Sequence, residues 1–176
     1  NITDSTLSNT ADVDVSITTY ATAATWDASS MDLGEDTTIN LTNATAAQVI
    51  KGGEGADAIT GGTKGDTITG NGGIDAINGG AGLDNIDAGA GNDAITMSTE
   101  AQFSTTLGTD TVDAGAGNDI VHVNSSYASD ISIDGGAGTD WLIILSGSSS
   151  VSYTINSSST SNFENVRSGY GDDTIT

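Results

Sequence analysis

Residues 52–96 read, nine at a time, GGEGADAIT, GGTKGDTIT, GNGGIDAIN, GGAGLDNID and AGAGNDAIT. Aspartate holds the sixth place of every line (Asp57, Asp66, Asp75, Asp84, Asp93) and isoleucine the eighth (Ile59, Ile68, Ile77, Ile86, Ile95). A flexible glycine linker has no reason to keep two residue types in phase through five repeats. Self-similarity at a short fixed period marks a solenoid, in which each repeat buries its apolar side chain only against its neighbours. The glycines cluster in the first places, where a tight turn needs backbone angles that other residues avoid. The last three places alternate small, apolar and polar, as a short strand with one inward side chain requires. Six turn residues and three strand residues make half a coil, so eighteen residues complete one. The expected fold is all-β, a parallel β-roll or β-solenoid.

That geometry stacks Asp57, Asp75 and Asp93 on one edge and Asp66 and Asp84 on the other. Neighbouring strands lie ~4.8 Å apart. Carboxylates at about that separation repel by roughly 4 kcal/mol per pair at an effective dielectric near 20. A cation between them removes the repulsion. Calcium takes six to eight hard oxygen ligands, which carboxylates and the carbonyls of glycine turns supply, whereas magnesium wants a smaller octahedron and keeps its waters. With these residues in view, the stretch resembles the RTX (repeats-in-toxin) family. The resemblance implies a parallel β-roll with calcium between turns two repeats apart, each ion held by aspartate carboxylates and backbone carbonyls, and export by type I secretion. Three places depart from the pattern: Lys64 replaces a fourth-place glycine, Asn71 a second-place one and Ala88 a first-place one.

After Thr96 the register slips at 97–104 (MSTEAQFS), where Phe103 is expected to fold back on the stack. The pattern resumes as TTLGTDTVD (105–113), AGAGNDIVH (114–122), GGAGTDWLI (135–143) and SGYGDDTIT (168–176). Asp110, Asp119, Asp140 and Asp173 occupy the sixth places there and join the first five as expected calcium ligands, with their stacking neighbours out of phase. Ile131 and Ile133 belong to a coil without a sixth-place aspartate, while Glu164, nine residues before Asp173, offers a carboxylate in its stead. Residues 97–176 thus read as an interrupted roll that continues beyond the last residue, in a piece of a longer polypeptide. Residues 1–51 are rich in Ser, Thr, Ala and Asn, and Val13, Val15 and Ile17 alternate with Asp12, Asp14 and Ser16. Stepping back by nine from Ile59 gives Ile50 and Leu41, and the aspartate place falls on Gln48 and Ile39. The reading is a metal-free β-solenoid or β cap that covers the first coil of the roll 52–96, with a separate small β domain as the alternative.

Net charge is −21, from twenty Asp and four Glu against Lys51, Lys64 and Arg167. Such a balance argues against nucleic acid and anionic membrane surfaces, which need basic patches. No apolar run is long enough to span a bilayer, so no membrane insertion is expected. Two Phe, four Tyr and two Trp, with no Cys and no Pro, are thin material for a compact globule. A solenoid needs only a narrow row of aliphatics. His122, the one histidine, falls at an outward ninth place, and nothing positions a serine and an acid beside it. Zinc-protease, P-loop and dinucleotide patterns are missing, so no enzyme is expected. What remains is a calcium-stabilised structural segment of a secreted bacterial surface protein, like an S-layer protein or an RTX adhesin. It would fold outside the cell on calcium binding and self-associate into a surface array or filament. The rival is the C-terminal secretion and folding module of a secreted enzyme such as a protease or lipase. A third idea, a ligand or ice-binding face of outward Thr60, Thr69 and Thr96, is broken by Asn78 and Asp87.

Overall fold

A computed structural model describes residues 13–16, 22–29, 36–97, 110–124, 131–145, 152–153, 160–170 and 172–175. Phe103, and with it the expected fold-back of the insertion, lies outside the described residues. The short repeats with one inward side chain each form strands that pair in parallel with the strand one coil away. The first sheet holds, in order, β1 (Val13–Ser16), β3 (Thr37–Asn40), β5 (Ala58–Thr60), β7 (Ala76–Asn78), β9 (Ala94–Thr96), β12 (Ile120–Asn124), β15 (Trp141–Leu145) and β18 (Asn165–Ser168). The second holds β2 (Thr25–Asp27), β4 (Val49–Lys51), β6 (Thr67–Gly72), β8 (Asn85–Ala90), β10 (Asp110–Asp113), β13 (Ile131–Asp134) and β17 (Thr160–Ser161). Two short strands, β11 (Ala116–Gly117) and β14 (Ala137–Gly138), extend it beside β8. A separate pair joins β16 (Ser152–Tyr153) to β19 (Thr174–Ile175). The chain alternates between the two sheets as it climbs, which is the winding of a β-solenoid. No helix among the described residues is long and apolar enough to cross a membrane.

Two apolar rows make the core. In the first sheet Ile39, Ile59, Ile77, Ile95, Val121, Leu142 and Val166 lie in one register. In the second, Trp26, Ile50, Ile68, Ile86, Val112 and Ile133 do the same, and Thr160 continues the row. Together they form one cluster in which nearly every member is sealed from water. Each such aliphatic contributes roughly 1.5–3 kcal/mol by burial. The five-residue strands β12 and β15 add Val123 and Ile144 to it.

Strands β1 to β4 belong to the same two sheets, since β1 pairs with β3, β2 with β4, β3 with β5 and β4 with β6. The nine-residue step fails there at one point. Ile39, not Leu41, stands in line with Ile59, and Thr37, not Ile39, takes the aspartate place. Two extra residues are taken up just after β3. Asn40 Oδ1 accepts the Thr42 N–H at 3.2 Å, and the Ala44 N–H reaches the Leu41 carbonyl at 2.7 Å. This tight turn lengthens the coil while Leu41 itself stays buried.

Candidate metal centre

Asp57, Asp66, Asp75, Asp84, Asp93, Asp119 and Asp140 each sit where a turn enters a strand, and the backbone N–H at that junction is open to a side chain. The carboxylate one coil later takes it. Asp57 Oδ1 accepts from the Thr37 N–H (2.7 Å), Asp75 from Asp57 (2.9 Å), Asp93 from Asp75 (2.8 Å), Asp119 from Asp93 (2.7 Å) and Asp140 from Asp119 (2.8 Å). Glu164 Oε2 closes this column on the Asp140 N–H at 2.8 Å. On the other edge Asp66 accepts from Gln48 (2.8 Å), Asp84 from Asp66 (2.9 Å) and Asp110 from Asp84 (2.8 Å).

Eight of the nine aspartates singled out in the sequence therefore fall into two columns, five in the first and three in the second. Asp110, Asp119 and Asp140, out of phase by count, stand in line in space, at spacings of 26 and 21 residues in place of eighteen. Asp173 stands directly before β19, whose partner is β16. A further ladder escaped the sequence reading. Asn92 Oδ1 accepts the Asn118 N–H and Asn118 Oδ1 the Thr139 N–H, both at 2.8 Å, and it runs in the opposite sense. Its signal was present as the identical AGAGND at 88–93 and 114–119.

The second carboxylate oxygen curls back over its own turn. A Cβ on the first-place Gly52, Gly61, Gly70 or Gly79 would overlap the Oδ2 of that repeat's aspartate. At those four places the missing Cβ leaves room for the carboxylate, while alanine holds the first place before Asp93 and Asp119. For Asp57 and Asp66 this oxygen accepts the Gly53 and Gly62 N–H, each at 2.6 Å. For Asp75, Asp93, Asp119 and Asp140 it is buried with no hydrogen-bond partner among the described residues. A buried acceptor left unmatched costs about 1–3 kcal/mol, and more when charged.

Burial has the expected electrostatic effect. Loss of water pushes Asp75 and Asp84 up to about 7 and Asp119 up to about 6, from an ordinary 3.8, against the ladder N–H groups that favour the ionised form. Neighbouring carboxylates in the column add to the rise. Asp57, Asp66, Asp93 and Asp110 move in the same direction, with burial again the largest cause. An ionised column therefore needs a counter-charge.

The donors fit calcium. At Gly52, Gly61 and Gly70 the aspartate Oδ2 converges with a carbonyl of the turn one coil on, as Asp75 Oδ2 does with the Ala88 oxygen at Gly70. The set is all hard oxygen, and among the described residues no three or more His, Cys, Asp or Glu are placed to hold one metal ion together. Carbonyls must then supply most ligands, which suits the flexible, oxygen-rich shell of calcium better than sites built for softer metals. When bound, calcium supplies the positive charge that lets these carboxylates stay ionised in place.

A parallel β-solenoid whose turns stack buried carboxylates against backbone carbonyls is a cation-binding roll. The family model of the RTX calcium-binding nonapeptide repeat matches in four copies, at residues 49–63, 60–95 and 103–125. Those residues carry RTX calcium-binding nonapeptide repeats, and calcium is the ion that this repeat binds. Comparison with curated proteins and with solved structures finds no match.

Proposed function

We propose that this segment is a structural, non-catalytic part of a secreted bacterial surface protein, S-layer-like or adhesin-like, that folds outside the cell when calcium binds. RTX repeat proteins are typically exported by type I systems, which suggests an extracellular location. The observation that carries the reading is the row of buried, unpartnered Oδ2 atoms on Asp75, Asp93, Asp119 and Asp140. A rise from 3.8 to about 7, as for Asp75, corresponds at roughly 1.4 kcal/mol per pH unit to on the order of 4 kcal/mol against the ionised, metal-free fold. Where calcium is scarce the coils that need it stay open, which favours passage through an export channel. Extracellular calcium modules bind at ~10⁻⁴ to 10⁻³ M, and binding energy becomes folding energy.

Self-association into an array is supported by apolar groups on the outer face of the first sheet. Ile120 and Trp141, paired across β12 and β15, are 36% and 40% exposed. Circular dichroism of the 176-residue chain in EGTA, then in rising calcium, tests the folding switch. A marked gain of β content on going from EGTA to millimolar calcium is expected, and equal β content in both conditions overturns it. Electron microscopy of the calcium-loaded chain tests the array, with ordered sheets or filaments expected and monodisperse particles the contrary result.

A further inference from the structure

The turns are of two kinds. In 52–57 and 61–66 the N–H of the second-place residue points inward and satisfies the aspartate of its own turn. In the turns before Asp75, Asp84, Asp93, Asp119 and Asp140 the second-place residue is left-handed: Asn71 (φ 80°), Gly80 (89°), Gly89 (101°), Gly115 (94°) and Gly136 (82°). Where its N–H can be followed it has swung outward. Gly80 N donates to Asn78 Oδ1 at 3.1 Å, and Gly136 N to Asp134 Oδ1 at 3.0 Å. The orphaned Oδ2 atoms of Asp75, Asp93, Asp119 and Asp140 all belong to this second kind.

We propose that the hand of the second-place residue decides which turns take calcium: the left-handed turns from 70 onward bind it, and the turns of Asp57 and Asp66 close on themselves without it. The inference rests on the calcium-dependent folding argued above and divides the chain within it. A donor N–H pointing at a carboxylate occupies the oxygen that a cation would use, and the same N–H would repel the ion. Turning that peptide over removes the donor and leaves the oxygen open. Lys64 is consistent with this division, because a lysine in the fourth place resists the left-handed backbone that Gly73 (φ 114°) and Gly82 (φ 131°) adopt at that place.

The lower end of the second column is closed in the same metal-free way. Gln48 stands at the aspartate place, 2% exposed, and its backbone N–H meets Asp66 as each aspartate meets the next. Its amide Nε2 donates to the Ala46 carbonyl at 2.7 Å and to the Thr22 carbonyl, in the coil before, at 3.2 Å. Its Oε1 accepts the Trp26 indole N–H at 3.1 Å. A neutral donor thus ties the carbonyls of two successive turns together, which is the bridging task a cation performs higher up. Coils β2 to β6 hold without calcium and present a finished edge to the calcium-responsive ones.

Hydrogen exchange by mass spectrometry on the whole chain tests this, in EGTA and in millimolar calcium. Amides of 37–69 are expected to stay protected in both, and those of 70–97, 110–124 and 131–145 to gain protection at least tenfold only in calcium. Loss of protection in 37–69 along with the rest in EGTA overturns the division but leaves calcium-dependent folding intact. No response to calcium anywhere defeats calcium-dependent folding itself. Two variants address the backbone hand. Asn71→Val, which disfavours φ above zero, is expected to weaken one calcium site at least tenfold in a direct binding titration. Asn71→Gly, which keeps the hand, is expected to bind as the parent does. Equal binding by Asn71→Val and Asn71→Gly overturns the proposal. Gln48→Ala should remove the EGTA-resistant protection of 37–51, and unchanged protection there would overturn the role of the amide.

Discussion

The two carboxylate columns differ in length, while the apolar rows beside them do not. The first runs from Asp57 through Asp75, Asp93, Asp119 and Asp140 to Glu164. The second is only Asp66, Asp84 and Asp110, bounded by Gln48 before it and by Ile131, opposite Asp110, after it. Yet the second sheet stays in register past both ends, from β2 to β17. Strands therefore wind without acid beside them. Aliphatic burial and the parallel ladder set the coil, and the carboxylates make part of it conditional on a cation. Thr37 and Gln48 mark where the carboxylates stop and the ladder goes on.

The largest test of this division is acidity in the absence of calcium. Asp75 and Asp84 titrate near 7 and Asp119 near 6 in the folded chain, against an ordinary 3.8. The folded state then holds protons that the unfolded state releases, so the stability these groups confer is complete below about pH 4 and is lost as pH rises through 6 to 7. In EGTA the chain should melt higher at pH 5 than at pH 8, with Asp75 and Asp84 each contributing about 2–3 kcal/mol. Saturating calcium should reverse the trend, because it favours the ionised form. Its apparent affinity should fall, and protons should be expelled on binding, as pH drops below 7. Thermal melts from pH 5 to 8 with and without EGTA measure both. A flat EGTA profile would mean that the columns are bathed in water.

Next in size are the apolar rows. Ile77→Ala in the first sheet and Ile86→Ala in the second should each cost about 2–5 kcal/mol, the usual range for emptying a packed aliphatic site. Both residues lie in the one core that the columns flank. The loss should thus be similar for the two and should appear as a lower urea midpoint of the calcium-loaded chain. A large loss at one and none at the other would separate the sheets energetically and break the picture of a shared core.

How much of this was legible in the sequence can be argued from a few positions. The period of nine assigned Asp57, Asp75 and Asp93 to one edge and Asp66 and Asp84 to the other because it reports which residues have equivalent surroundings. It cannot report how much chain is looped out between coils, since closing a longer loop costs little extra entropy. Asp110 and Asp119 looked displaced for that reason, yet their Oδ1 atoms reach N–H groups 26 residues back. The same blindness moved the apolar place from Ile39 to Leu41, where two added residues are absorbed in the Asn40 turn. The sense of the second-place peptide was hidden for another reason. Gly53 and Gly89 are the same residue in the same place, and only the geometry of their neighbours separates them.

The finest test contrasts the two columns directly, through Asp93→Asn and Asp110→Asn. Asparagine keeps an Oδ1 to accept the N–H of Asp75 or Asp84, so the ladder survives while one charge is lost. Asp93 has a carboxylate on either side, Asp75 and Asp119, whereas Asp110 has Asp84 on one side and Ile131 on the other. Relief of repulsion in EGTA at pH 8 should therefore be greater at 93 than at 110, with gains of roughly 1–2 kcal/mol set by Coulomb interaction at strand spacing. In calcium the order inverts. Asp93→Asn weakens the attraction for ions on both of its faces and should show the smaller calcium-induced rise in melting temperature. Calorimetric melts of the two variants and the parent, in EGTA and in calcium, read the difference. Identical shifts at 93 and 110 would mean that each carboxylate works alone in its own turn, and the length of a column would then carry no energetic meaning.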